Sequence, residues 1–200
     1  MIEYPQRSKF RDRNFISEVY RKAFHVGLGI FLILAYVYLG KYYSILIYSI
    51  LLVLAIASDI IRLRIYIQYP LKRIAETISR SYERTFLGAH TYFLAGILLA
   101  ALFFDETSFI TAAFVVTIID PIISITGLSL DRIKHPYNKE KSIIGSLIGA
   151  SIAFIVFFEY MPVVKALIIS IAIYIIDSVP LSISDNIIFP LVIGLLAYLL

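Results

Sequence analysis

The sequence predicts an all-α integral membrane protein with about seven transmembrane segments. Two observations predict this fold class. Hydrophobic residues make up 60% of the 200-residue chain, against roughly 45–50% apolar residues in soluble proteins. They also occur in long blocks rather than at the spacing of an amphipathic surface helix. The length suggests one domain, which we assign to residues 1–200.

Seven apolar segments follow one another along the chain. They are Phe15–Leu39, Tyr42–Ile61, Gly88–Phe104, Thr111–Leu128, Ile143–Phe158, Val163–Ile176 and Ile187–Leu200. The last two are shorter than the roughly 20 residues that a spanning helix needs. We therefore expect the polar stretch 177–186 between them to contain irregular backbone that lines a cavity or is buried in protein.

Basic residues are distributed unequally between the two sides that these segments define. Of the 18 Lys and Arg residues, all but Lys41 and Lys165 precede or open segment one, or lie between segments two and three or four and five. Because positively charged loops stay in the cytoplasm, the sequence predicts a multi-pass protein with a cytoplasmic N-terminus and an external C-terminus. In a prokaryote its membrane would be the plasma membrane.

The loop between segments two and three predicts an amphipathic helix on the membrane surface. Pro70 suits the first turn of a helix. The apolar residues that follow at helical spacing are Leu71, Ile74, Ala75, Ile78 and Tyr82, and charged residues cover the other face. This pattern is typical of a helix that lies on a membrane, although a solvated connector helix would share it.

The cysteine and histidine content excludes two kinds of site. Cysteine is absent, and the three histidines, His25, His90 and His135, are widely separated. A disulfide framework is therefore impossible and a zinc motif is not indicated. The sequence also contains no indication of a nucleic-acid partner. The charged first 14 residues precede a long apolar stretch without a small-residue cleavage site, so we expect a retained first span rather than a signal peptide.

An aspartate inside the fourth segment is the strongest indication of a functional site. In TIIDPIISITG, Thr117–Gly127, Asp120 lies within an apolar run. An ionised carboxylate in hydrocarbon is costly and usually faces a cavity or a pathway. We therefore expect Asp120 to face a polar cleft, where it binds a metal ion or accepts a proton.

Most other polar residues of the segments fall at their cytoplasmic ends, where acids and bases together could bind a phosphorylated ligand. Lysine and arginine neutralise phosphate, and carboxylates bind Mg²⁺ alongside phosphate oxygens. The stretch KSIIGS, Lys141–Ser146, brings a lysine, a hydroxyl and a glycine to the start of segment five. A helix N-terminus favours an anion, so this stretch predicts a phosphate contact.

Simpler roles remain open for several of these residues. Arg21 and Lys22 could be membrane anchors, and His25 could be a packing residue. Asp59 with Arg62 has the spacing of a local ion pair. Lys141 could be one more charge that sets the topology.

Five blocks of the sequence, in order, resemble the polyprenol kinase family, the membrane enzymes that include dolichol kinase and phytol kinase. The blocks are RKAFH (Arg21–His25), SDIIRLR (Ser58–Arg64), ERTFLGAHTYFLAG (Glu83–Gly96), IDPIISITG (Ile119–Gly127) with KSIIGSLIG (Lys141–Gly149), and SDNIIFPLVIGL (Ser184–Leu195). Together they extend over nearly the whole chain. The sequence departs from the family pattern where Ile119 replaces a glycine, Ile144 a glutamate and Ser184 an aspartate.

The resemblance implies a CTP-dependent kinase that phosphorylates the terminal hydroxyl of an isoprenoid alcohol of the dolichol, phytol or geranylgeraniol type. It implies Mg²⁺ and a site on the cytoplasmic face, in contact with membrane lipid. On this interpretation Asp120 and Lys141 are catalytic. The residues expected to bind the nucleotide are Arg21, Lys22, His25, Arg62, Ser142, Gly145 and Asn186, and those expected to bind the metal are Asp120, Asp177 and Asp185. The sequence specifies neither the particular alcohol nor the oligomeric state.

Two other functions are compatible with the same residues. A CTP-dependent lipid cytidylyltransferase would share the membrane, the nucleotide and the metal. A small ion-coupled transporter would use Asp120 and the broken segment at 177–186 as a midplane ion site. The absence of an internal repeat and the gathering of polar residues at one face favour the kinase over the transporter.

Overall fold

The described part of the chain is almost entirely helical. A computed structural model describes residues 15–64, 86–130, 133–181 and 183–200. Its helices are α1 (Phe15–Arg64), α2 (Ala89–Phe103), α3 (Glu106–Ser129), α4 (Ile143–Phe158), α5 (Val163–Ser178) and α6 (Asp185–Leu199). Within these residues the only β pairing is an isolated bridge between Lys134 and Ser142. The predicted all-α class is confirmed, whereas the amphipathic helix predicted after Pro70 lies outside the described residues.

The first helix folds back on itself at Gly40. This glycine has φ 77° and ψ 170°, a conformation that favours a residue without Cβ. The Tyr48 hydroxyl donates a hydrogen bond to the carbonyl of Leu32 at 2.5 Å, although sixteen residues of straight helix would separate these groups by roughly 24 Å. Residues 15–39 and 41–64 are therefore two arms that pack side by side. The first two predicted segments thus correspond to the two arms of α1, and the described residues contain six helices when α1 is counted as one.

Two of the described helices, α1 and α3, are long and apolar enough to cross a membrane. They differ in where they lie. Only 22% of the most apolar stretch of α1 is buried inside the protein, against 61% of that of α3. The central position of α3 follows from its fully buried side chains, which include Phe109, Val116 and Ile119. The arms of α1 therefore form part of the outside of the bundle, and α3 runs through its centre.

Close contact between α3 and α4 depends on glycine. A Cβ added to Gly145 would lie 2.8 Å from the Cα of Gly127 and 2.8 Å from the carbonyl oxygen of Ile123. Both of these are backbone atoms, which cannot rotate away. Gly145 therefore lets the two backbones touch at the point where α4 begins.

The helices alternate in direction, so their termini gather at two ends of the bundle. At one end, which we call the polar end, Arg62 near the end of α1 donates to the carbonyl of Phe86 just before α2. At the other, which we call the distal end, Lys41 beside the Gly40 turn donates to the carbonyl of Phe104 after α2, at 2.9 Å.

The two basic residues predicted to lie apart from the others both bind helix termini at the distal end. Lys41 contacts the carbonyl of Phe104, and Lys165 donates to the carbonyl of Ala197 near the end of α6, at 2.5 Å. The last carbonyls of a helix lack partners within it, and a cation there also favours the helix dipole. These lysines therefore satisfy carbonyls that would otherwise be unpaired.

The packing at Gly145 can be tested with a matched pair of glycine substitutions. Gly145→Ala should lower the free energy of unfolding by about 1–3 kcal/mol, because the added methyl overlaps backbone that cannot move. Gly27→Ala adds the same methyl where nothing lies within 4 Å. It should leave stability unchanged or raise it by up to about 1 kcal/mol through helix propensity. Thermal unfolding in detergent measures both, and equal melting temperatures would contradict the close contact.

Candidate functional site

A buried ion pair lies inside the bundle near its polar end. Lys22 on the first arm of α1 donates to Asp120 on α3, with 2.5 Å between Nζ and Oδ2. The two side chains are only 5% and 4% exposed. Asp120 lies nine residues before the end of α3, roughly 13 Å along the helix axis. The carboxylate is thus as deep as its apolar surroundings predict, and its charge is balanced by a lysine that the sequence did not identify as its partner.

The turn of α3 just before Asp120 is a π-helix, Val115–Ile119. There the Asp120 amide donates to the carbonyl of Val115, five residues back. His25 Nε2 lies 2.9 Å from the carbonyl oxygen of Val116, and because a carbonyl can only accept, Nε2 carries the hydrogen. His25 therefore binds α1 to the wider turn that precedes Asp120. Such turns occur frequently at functional sites.

A second charge cluster joins three helices at the polar end. Lys141, just before α4, donates to Asp177 Oδ1 at 2.6 Å and to Asp185 Oδ2 at 2.7 Å. Asp177 lies in the last turn of α5 and is fully buried, whereas Asp185 opens α6 and is 31% exposed. We call these three residues the Lys141 cluster. The arrangement brings together three residues that were predicted to belong to one site.

The charge of Lys141 is stabilised by its neighbours. Burial alone would lower the pKa of this ammonium, but the carboxylates of Asp185, Asp177 and, more distantly, Asp120 outweigh burial and raise the pKa above the ordinary value for lysine. The charge of Asp120 therefore acts on Lys141 as well as on Lys22. Lys141 therefore remains a cation at every physiological pH.

His135 and Ser146 extend the cluster and were not identified from the sequence. Ser146 Oγ lies 2.5 Å from Asp177 Oδ2, and His135 Nε2 lies 2.9 Å from Ser146 Oγ. Since an ionised carboxylate only accepts, the serine hydrogen points to Asp177 and the histidine donates to the serine. The position of Ser146 four residues after Ser142 could have indicated a shared helix face, whereas the isolated His135 carried no signal.

A small cleft opens beside the Lys141 cluster. Its lining residues are Ile123, Ser124, Gly127, Leu128, Lys134, Glu140, Lys141, Ser142 and Asp177. Its cavity volume is about 20 Å³, enough for one water-sized group. A nucleotide is far larger than this and would have to lie on the open side of the cleft.

The groups at the start of α4 that were predicted to contact a phosphate already have partners within the protein. Ser142 is the N-cap of α4, and its hydroxyl accepts from the amide of Gly145 at 3.4 Å. The amide of Ile143 donates to the carbonyl of Ile133 at 3.0 Å. Ser142 therefore caps the helix and Gly145 packs against α3, and a phosphate could reach these amides only by displacing those contacts.

Asp59 and Arg62 form the local ion pair that the spacing allowed. Arg62 Nη2 donates to Asp59 Oδ1 at 2.9 Å and to the carbonyl of Phe86. Asp59 Oδ2 also accepts from the amide of Gly88 and the hydroxyl of Thr91, each at 2.7 Å. These contacts hold the start of α2 against the end of α1.

Two more of the predicted nucleotide-binding residues have contacts within the bundle. Arg21 forms an ion pair with Glu18 one turn earlier on α1. Asn186 donates through Nδ2 to the carbonyl of Ala89 at 3.0 Å, which binds α6 to the start of α2. Their roles toward a nucleotide, like that of Arg62, stay predictions.

The carboxylates of the Lys141 cluster are also the candidate ligands for a metal ion. No three His, Cys, Asp or Glu side chains of the described ranges converge on one point. Two carboxylates do converge, since Asp177 and Asp185 both reach the same ammonium. Mg²⁺ is commonly held by one or two carboxylates together with substrate phosphates, so this pair would hold it only if the Lys141 ammonium moved from between them. Asp120, the third predicted ligand, is paired with Lys22 instead.

Comparison with known proteins identifies no relative. No protein-family model, curated protein or solved structure matches this chain. The resemblance to polyprenol kinases therefore rests on the five sequence blocks alone and remains a prediction.

The coupling between Lys22 and Asp120 can be measured with a double-mutant cycle. Lys22→Met or Asp120→Asn alone should lower the free energy of unfolding by about 3–5 kcal/mol, because each leaves an unpaired buried group. The double substitution should recover most of that loss. Thermal unfolding in detergent measures all three variants. Additive losses would show that the two side chains do not depend on each other.

Proposed function

We propose that the protein is a membrane lipid kinase that transfers the γ-phosphoryl group of CTP to the terminal hydroxyl of a long isoprenoid alcohol. The observation that carries this proposal is the Lys141 cluster, in which a cation and two carboxylates meet beside a cleft at the polar end of an apolar bundle. Phosphoryl transfer needs groups of both signs, because phosphates must be neutralised and a metal ion must be held.

The proposal includes a membrane arrangement. We propose that the two arms of α1 cross separately, so that the six helices make seven crossings, and that the polar end faces the cytoplasm. The exposed apolar surface of α1 and the concentration of basic residues toward the polar end support it. In this arrangement the Lys141 cluster lies at the surface where a soluble nucleotide can reach it.

The acceptor class follows from the position of the site. A long alcohol stays in the bilayer because each buried CH₂ contributes about 0.8 kcal/mol. Its hydroxyl can therefore meet a nucleotide only near the membrane surface. A cleft at the polar end of a lipid-exposed bundle satisfies that requirement, whereas the preference for CTP over other nucleotides rests on the sequence resemblance alone.

The chemistry assigns a role to each group near the cleft. The alcohol oxygen forms a bond to the γ-phosphorus, the bond from that phosphorus to the β–γ bridging oxygen breaks, and CDP leaves with the bridging oxygen. Lys141 would neutralise phosphate charge on the open side of the cleft. Asp177 and Asp185 would hold Mg²⁺, which supplies further charge neutralisation when bound.

The hydroxyl proton must also have an acceptor. Two carboxylates lie near enough to be candidates: Asp177 lines the cleft, and Asp120 lies one helical turn from Ser124 on α3. Both carboxylates are buried and paired with a lysine. Asp177 is the better placed of the two, because it alone lines the cleft. Loss of transfer in Asp177→Asn with retention in Asp120→Asn would assign the proton to Asp177.

Product analysis tests the proposal against its alternatives. Purified protein incubated with labelled CTP, Mg²⁺ and a panel of isoprenoid alcohols should yield phosphorylated lipid and CDP. A cytidylyltransferase would yield a CDP-lipid and pyrophosphate from a phosphorylated lipid. The second alternative is an ion-coupled transporter, and the observation that supports it is the burial of the Lys22–Asp120 pair within the bundle. It would give no covalent product and would move ions across vesicle membranes.

The role of Lys141 can be tested against a neighbouring lysine. Lys141→Ala should lower CTP-dependent activity about tenfold or more, because a hydrogen bond to a charged group contributes roughly 1.5–3 kcal/mol. Lys139→Ala removes an exposed lysine of the same loop and should leave activity unchanged. A thermal melt of each variant confirms that it is folded. Wild-type activity in a folded Lys141→Ala protein would contradict the phosphate role.

The orientation can be tested with introduced cysteines, since the chain has none of its own. Tyr137 at the polar end and Tyr160 at the distal end are 85% and 83% exposed. A membrane-impermeant thiol reagent should label Tyr137→Cys from the cytoplasmic side and Tyr160→Cys from the outside. The opposite pattern would place the Lys141 cluster outside the cell, away from the nucleotide.

A further inference from the structure

The cleft beside the Lys141 cluster has two unlike walls. The α3 wall consists of Ile123, Ser124, Gly127 and Leu128, which are apolar or small except for one hydroxyl. The opposite wall carries the charged and polar lining residues Lys134, Glu140, Lys141, Ser142 and Asp177. A ligand that fits both walls must have an apolar part and a polar head group, as a long-chain alcohol does.

The size of the cleft restricts what can enter it. Its cavity volume of about 20 Å³ holds a group the size of one water molecule. A nucleobase or a phosphate chain is too large for that space, whereas the hydroxyl of a primary alcohol is of the right size. The enclosed part of the cleft therefore suits the acceptor, and the nucleotide remains on its open side.

Ser124 is the polar group on the apolar wall that can bind such a hydroxyl. The other serine of the lining, Ser142, uses its oxygen to cap α4, and Lys141 and Asp177 bind each other. Within the described ranges the Ser124 hydroxyl makes no hydrogen bond, and the side chain is partly exposed to the cleft. A donor and acceptor without an internal partner on an apolar wall is available to a ligand.

We propose that this cleft is the binding site for the terminal hydroxyl of the acceptor alcohol and that Ser124 is its hydrogen-bonding partner. The inference rests on the proposed kinase function for the class of ligand. Ser124 donates to the acceptor oxygen, which leaves the hydrogen of the alcohol directed toward the opposite wall, where Asp177 lies. The hydrocarbon chain leaves the cleft along the partly exposed apolar side chains near the end of α3, Ile125 and Leu128.

Kinetics of two Ser124 variants test this site. Ser124→Ala should raise KM for the alcohol about three- to tenfold through loss of one hydrogen bond, with KM for CTP unchanged. Ser124→Thr keeps the hydroxyl and should retain most of the affinity. The control is Ser129→Ala, on the same helix, because the Ser129 hydroxyl is exposed and donates to the carbonyl of Ile125. An unchanged KM for the alcohol in Ser124→Ala would overturn the assignment.

A binding measurement separates this inference from the kinase proposal. Without nucleotide, phytol should raise the melting temperature of the wild-type protein more than phytane, which has the same carbon skeleton and no hydroxyl. That difference should disappear in Ser124→Ala and persist in Ser124→Thr and Ser129→Ala. If the variants show this pattern and the wild-type protein has no kinase activity, the hydroxyl site is supported and the kinase function is contradicted. Equal shifts with phytol and phytane in the wild type would overturn the site even in an active kinase.

Discussion

The structure at the polar end depends on one ammonium group held between two carboxylates. Lys141 lies before α4, Asp177 ends α5 and Asp185 begins α6, so the two contacts at 2.6 and 2.7 Å fix how three helices meet. Two carboxylates this close would repel each other in a medium of low dielectric constant. The lysine removes that repulsion, and the hydrogen bonds from His135 through Ser146 hold Asp177 from the other side.

The same balance of charge explains why the polar residues are concentrated at one end. A bundle whose outer surface is apolar can accommodate ionised groups only in pairs inside it or near water at its ends. The Lys22–Asp120 pair satisfies the first condition and the partly exposed Lys141 and Asp185 satisfy the second. At the distal end Lys41 and Lys165 supply donors to helix carbonyls.

Local features of the fold could be predicted from the sequence, whereas contacts between distant residues could not. Long apolar runs predict helices, because apolar side chains must be buried. Asp120 is a single carboxylate within such a run, which predicts that it lies deep in the protein. The partner of Asp120 could not be predicted, since Lys22 is 98 residues away and several lysines and arginines were equally suitable. The turn at Gly40 lies between the first two predicted segments, so the described residues contain six helices when the two arms of α1 are counted as one.

Several residues of the candidate site were assigned to ligand binding because their chemistry allowed it. Ser142, Gly145 and Asn186 have contacts that cap or pack helices, and their roles toward a nucleotide stay predictions. A hydroxyl, a glycine and an amide near a helix terminus serve structure as readily as binding, and only the positions of neighbouring atoms distinguish the two. His135 shows the opposite case, because its place next to Ser146 arises from loop geometry that no spacing rule describes.

The distance along the chain between Lys22 and Asp120 sets an order of events during synthesis. Translation proceeds at about 5–20 residues per second, so the 98 residues that separate the pair take roughly 5–20 s to make. The second arm of α1 and α2 are made during that interval, and Lys22 cannot pair with Asp120 until α3 has been made. Until then Lys22 lacks the opposite charge that balances it in the folded protein, and its ammonium is more favourable in contact with water than buried among apolar side chains.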